Sequence, residues 1–278
     1  ANADSNNGTT NNGQAIAIGA NAYAHSQDSA TGGNTAIAIG RNAYAELSSV
    51  AIGYGTQASQ MGSVAIGYSA NAKGSQSGIA IGDWANATGN NAIAIGGNPN
   101  STATQAYGDG AMAIGSGSKA NGTGSVALGG LGGTKGGSIA NKDFAVALGA
   151  AAQATGVGAV AIGGSDTTVS KAVGKNSAAI SSNAQALADD SYAIGSNSFA
   201  MSGGAVAFGA NAVSGGIPTS ITTHANGATT WTLTGTNTVA MGTQSNASSK
   251  QAVAIGYKSQ ALHNNTVAIG NLALANAS

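Results

Sequence analysis

Side chains able to do chemistry are few in this 278-residue chain, and their spacing suits catalysis poorly. Three histidines, His25, His224 and His263, lie far apart and repeat no ligand-pair spacing, so a metal site would need partners from several chains at a symmetry axis. The acidic residues, nine in all, are scattered. Asp189 and Asp190 form the one adjacent pair, and neighbouring side chains point apart, which fits a turn better than general acid–base work. The stretch Gly129-Gly130-Leu131-Gly132-Gly133-Thr134-Lys135 invites a phosphate-cradle reading. It lacks the G-x-x-x-x-G-K-[ST] order and a following helix. No G-x-S-x-G elbow and no calcium-binding G-G-x-G-x-D nonapeptide occurs. The expectation is a protein that is not an enzyme and needs no cofactor or metal.

Aromatic residues are the more promising contact groups, because they dominate recognition hot spots. They make up only 4 % of the chain. Tyr23 and Tyr44 occupy equivalent outward slots, Phe199 takes the same slot later, and Trp84 and Trp231 are the two tryptophans. These five are the candidate contact surface, against the alternative that they simply cover neighbouring stretches of their own chain.

What must position them is one phrase, Val64-Ala65-Ile66-Gly67, repeated from end to end. Read at the glycine, copies fall at Gly19, Gly40, Gly53, Gly67, Gly82, Gly96, Gly115, Gly129, Gly149, Gly163, Gly195, Gly209, Gly242, Gly256 and Gly270, with Ser181 in the glycine place of a degenerate copy. Eight of the fifteen steps between them are 14 residues. So short a period marks a solenoid rather than globular domains. Its apolar phrase alternates and is β-branched, hence a strand; small residues three and five places after each glycine, such as Ala70 and Ala72, mark a second strand. Gly/Ser/Asn turns close each unit. The expectation is an all-β, parallel β-roll of ~14-residue coils.

A coil this short holds only small side chains inside. Since neighbours on a strand point to opposite faces, Ala65 and its equivalents go in and Val64 and Ile66 go out. The outward residues of the second strand are mostly polar: Asn21, Asn42, Gln57, Ser69, Asn71, Asn86 and their equivalents. One outer face is therefore an apolar band too large to leave in water. Identical chains around an axis are its simplest partner. Val64, Ile66, Ile79, Ile81, Ile93, Ile95, Val126, Val146, Val160, Ile162, Val253, Ile255, Val267 and Ile269 are the expected interface between those chains.

Composition fits export of a disulfide-free protein. There are 45 glycines and no cysteine, charged residues are 6 % against a usual ~25 %, and the net charge is zero. That balance offers no footprint for nucleic acid or anionic lipid, and no run approaches the roughly 20 apolar residues of a membrane helix.

The Ser63-Val64-Ala65-Ile66-Gly67 phrase, repeating at 14 and followed by xx-Ala-x-Ala from about Gln14 to Ser278, resembles the head repeats of trimeric autotransporter adhesins, the YadA-like family. The resemblance implies a left-handed parallel β-roll, a homotrimer, and exposure on a Gram-negative cell surface. It also implies binding to extracellular-matrix proteins, host cells or other surfaces, with an outer-membrane anchor elsewhere in the full-length protein. The family's neck, coiled-coil stalk and membrane barrel are not in this sequence, which reads as an excised head that does not itself enter the membrane. Residues 1–13 read as a flexible polar lead-in and 14–278 as the roll. An insertion at about 214–237 reads as a projecting hairpin with Asn226-Gly227 at its tip. The competing classes are an ice-binding solenoid, which would want a regular threonine ladder, and a purely structural spacer.

Overall fold

The computed structural model describes residues 1–4, 14–26, 35–74, 76–97, 103–130, 136–165, 167–215, 220–223, 229–232 and 236–276. They form two compact units, residues 1–144 and 145–278. Each is a parallel β-solenoid in which every coil contributes one strand to each of two sheets.

In the first unit, one sheet stacks Gln14–Ile18, Thr35–Ile39, Val50–Ile52, Val64–Ile66, Ile79–Ile81, Ile93–Ile95, Met112–Ile114 and Val126–Leu128, each parallel to the next. The other stacks two- and three-residue strands, among them Tyr23–His25, Tyr44–Glu46, Gln57–Ala58, Asn71–Ala72 and Asn86–Ala87. Asn2–Asp4, inside the polar lead-in, adds a parallel strand beside Tyr23–His25; residues 5–13 lie outside the described residues. The second unit repeats the plan. Val146–Leu148, Val160–Ile162, Ala178–Ile180, Tyr192–Ile194 and Val206–Phe208 stack in order, and Val206–Phe208 pairs next with Val239–Met241. We call the two sheets the aliphatic sheet and the amide sheet, after their outward residues.

Backbone hydrogen bonds run from coil to coil. Val64 N donates to Gly78 O, Gly82 N to Ile66 O and Asn71 N to Ala85 O, each at 2.8 Å. The ladder thus satisfies main-chain groups that the narrow interior would otherwise bury unpaired.

The alternation places side chains as expected. Ala65, Ala80, Ala94 and their equivalents are fully buried, as are Ala70, Ala72, Ala85 and Ala87. The residue before most aliphatic strands is also interior: Ser49, Ser63, Ser125, Ser177 and Ser191 are buried. Their hydroxyls are not orphaned. Ser63 Oγ donates to Gln60 O at 2.6 Å, Ser125 Oγ to Gly122 O at 2.7 Å and Ser191 Oγ to Ala188 O at 2.6 Å. The core is therefore alanine methyls plus small hydroxyls, most of them tied to main-chain carbonyls, with no large side chain fully buried among the described residues.

One expectation needs correction. Asn21, Asn42 and Ser69 are not strand residues; they occupy a left-handed turn, at φ of 54°, 57° and 51°. The chain must reverse from one sheet to the other within a few residues, and Asn and Gly tolerate that geometry best. The amide sheet's outward residues are those two places further on, such as Gln57, Asn71 and Asn86.

The phrase glycine is fixed by crowding as well as by conformation. Gly67 has φ 132°, and a Cβ there would lie 2.7 Å from the carbonyl of Gly82 in the next coil. Ser181 takes the same slot at φ 109°.

The insertion leaves the stack. Ser220–Thr223 pairs antiparallel with Thr229–Thr232, Ile221 opposite Trp231. Its side chains, residues 216–219 and the expected tip at 224–228 lie outside the described residues. So do residues 98–102 and 131–135, which include most of the glycine-rich stretch weighed above.

Candidate functional site

The residues expected at a trimer interface all lie on the aliphatic sheets, outside the alanine core. In the first unit Val64, Ile79 and Ile93 form one in-register column and Ile66, Ile81 and Ile95 another; Val126 continues the first through Met112. In the second, Val146 pairs with Val160, Leu148 with Ile162, Val253 with Val267 and Ile255 with Ile269. Most are half-buried against their neighbours, whereas Val267 and Ile269 are 58 % and 67 % exposed. Two members of these columns, Tyr192 and Phe208, are aromatic where the repeat has mostly Val or Ile, yet they keep its alternation; both are exposed.

The candidate aromatics divide. Tyr23 and Tyr44 stand in register and stack at 5.1 Å with an interplanar angle of 13°. Each ring largely covers the other, so the pair packs coil on coil. Tyr44 also donates a hydrogen bond to Glu46. Burial first, then that hydrogen bond and the Glu46 charge, pushes its phenol up to about 12. Phe199 is half-buried on the amide sheet between Gln185 and Val213. Trp231 lies on the inserted hairpin, and its side chain is outside the described residues.

Trp84 differs from all of these. It sits in the left-handed turn slot at φ 60° and is 47 % exposed. Beside it run two rings that the sequence reading missed, Tyr54 and Tyr68, stacked at 5.1 Å and 5°. Trp84 leans against Tyr68 at 5.7 Å with a 55° tilt, and Arg41 covers the far end over Tyr54 at 5.6 Å. The signal was present: each tyrosine directly follows a phrase glycine in adjacent coils.

Acidic side chains here hold turns. Asp109 Oδ1 accepts the Asn90 amide at 2.9 Å, Asp143 Oδ1 that of Thr123 at 2.9 Å and Asp189 Oδ1 that of Lys175 at 2.7 Å. Asp190 Oδ1 accepts from Asn176 Nδ2 at 3.2 Å. Asp189 and Asp190 thus clasp the preceding coil rather than face one another. Among the described residues no three metal-ligating side chains come together, and no helix is long and apolar enough to cross a membrane.

Comparison with known proteins agrees with this geometry. A comparison with curated proteins gave no match. Among solved structures, the crystal structure of the collagen-binding domain of Yersinia adhesin YadA aligns with 95 % of this chain and 85 % of its own, at 22 % identity and a TM-score of 0.25. At that score the likeness carries no weight for fold or function. The YadA head domain repeat matches residues 47–70, 72–98, 106–131, 140–165, 186–212, 234–259 and 247–273. These segments span more than half of the chain, and each holds the strand–glycine–strand grammar seen in the coils: the chain belongs to the YadA head-repeat family.

Proposed function

We propose that this chain is the head of a bacterial surface adhesin, a rigid element that works as a homotrimer and attaches cells to matrix proteins, host cells or inert surfaces. The observation that carries the reading is the asymmetry of each solenoid unit. One sheet turns in-register aliphatic columns outward, and the other turns out amides and hydroxyls. A Val or Ile side chain fully buried is worth roughly 1.5–3 kcal/mol, so the aliphatic columns favour a partner presenting the same columns. The amide sheets and the turns are then left facing outward for contact.

Membership in the YadA head-repeat family supports the adhesive role. Attachment would be spread over many weak contacts and multiplied by copy number. The experiment is retention of beads coated with the purified chain on matrix proteins, cultured cells and bare polymer or glass. Retention on at least one of these above an albumin-coated control is expected. Retention on none overturns the adhesive reading.

A further inference from the structure

We infer that the groove beside Trp84 is a binding site for a neutral pyranoside ring, a glycan subsite on the amide face of the first unit. The proposal rests on the adhesin reading for its biological sense, while its geometry stands alone.

The groove holds about 330 Å³. Its lining includes Gln57, Asn71 and Asn86, in register on adjacent strands of the amide sheet, together with Trp84, Ser69 and Ala103. Among the described residues no lining side chain is ionisable, so neither an anionic glycan nor a charged peptide meets a counter-charge among them. What remains is one aromatic face beside a row of amides. That pair of features matches a sugar ring, whose C–H face packs on an aromatic ring while its hydroxyls, each both donor and acceptor, meet amides.

Three features of this place bear on the proposal. First, Trp84 is nearly half exposed and meets Tyr68 at a 55° tilt, whereas Tyr54 and Tyr68 stack almost parallel. Second, Asn71 and Asn86 stand directly in register, and the Oδ1 of each is buried without a hydrogen-bond partner, as is that of Asn246 on the amide sheet of the second unit. Third, Trp84 holds a left-handed backbone at φ 60°, where equivalent slots carry mostly small or amide side chains such as Asn21, Asn42, Gly55 and Ser69, with Lys258 and Leu272 as exceptions. A bulky aromatic is disfavoured there.

The test uses Trp84 fluorescence in the Trp231→Phe chain, where it is the sole indole. Probes are cellotetraose, chitotetraose and mannotetraose, with a heparin tetrasaccharide and a proline-rich peptide as controls. At least one neutral tetrasaccharide is expected to give a saturable change, and its affinity, read by calorimetry, to fall about tenfold or more in Trp84→Asn. Asn holds this slot in other coils, such as Asn21 and Asn42, so that variant should keep its circular dichroism. Asn71→Ala should weaken binding with the aromatic platform intact. No saturable response to any neutral tetrasaccharide at millimolar concentration overturns the proposal. So does a response unchanged by Trp84→Asn, or a Trp84-dependent response to the heparin or the peptide alone. Beads that still adhere in those cases leave the adhesin reading standing; beads that never adhere, with sugar bound at Trp84, refute that reading and not this one.

Discussion

Ser214 and Thr238, 24 residues apart, are joined inside the second unit. Ser214 Oγ lies 2.9 Å from Thr238 O and 2.7 Å from Thr238 Oγ1, and both side chains are buried. The inserted hairpin departs and returns between them, so this contact closes the stack beneath it. Val206 pairs with Val239, and Val213 with Asn246, as though nothing intervened.

Removal of residues 216–235, with a short Gly/Ser turn in their place, is therefore expected to leave the β-roll intact. Circular dichroism should keep its β signature, and the melting temperature should move by only a few degrees. Loss of the β signal would make the insertion part of the stack.

The glycine slot predicts stability changes of opposite sign. Gly67→Ala would press a methyl to 2.7 Å from the Gly82 carbonyl at φ 132° and should cost roughly 2–4 kcal/mol in denaturant unfolding. Ser181 already bears a side chain at φ 109°, so Ser181→Gly should stabilise by about 1 kcal/mol. A destabilised Ser181→Gly would refute the strain argument.

Tyr44 supplies the pH dependence. Its phenol is raised from 10.0 to about 12, so the fold favours the neutral form. That contribution is complete below the ordinary value of 10.0 and is lost as pH rises through about 12. In an alkaline titration of phenolate absorbance, Tyr44→Phe should remove the last step, near pH 12. Removal of an earlier step would show that Glu46 and burial do not hold this proton.

The coil itself was legible in the sequence, because a strict step of 14 leaves one place where alanine can go and one where valine can. The turn was not. Asn21 in a left-handed bend and Asn71 on a strand are the same residue type two places apart, and alternation alone cannot separate them. The acidic clasps escaped for a similar reason: Asp109 and Asp189 find their amide partners in the preceding coil, and only register brings those together. The Tyr54–Tyr68–Trp84 row was readable in principle, since two tyrosines follow consecutive phrase glycines. The tilt of Trp84 against Tyr68 was not, since sequence spacing carries no information on ring orientation.

The central claim is that the aliphatic columns are a subunit interface. Light scattering on the purified chain measures it directly, for the parent and for Val64→Asp/Ile66→Asp, with Asn71→Asp as the control on the other sheet. A parent mass three times the 26.2 kDa chain is expected, kept by Asn71→Asp and lost to monomer or aggregate in the double variant. A soluble, stable monomer of the parent chain would contradict the assignment of that face.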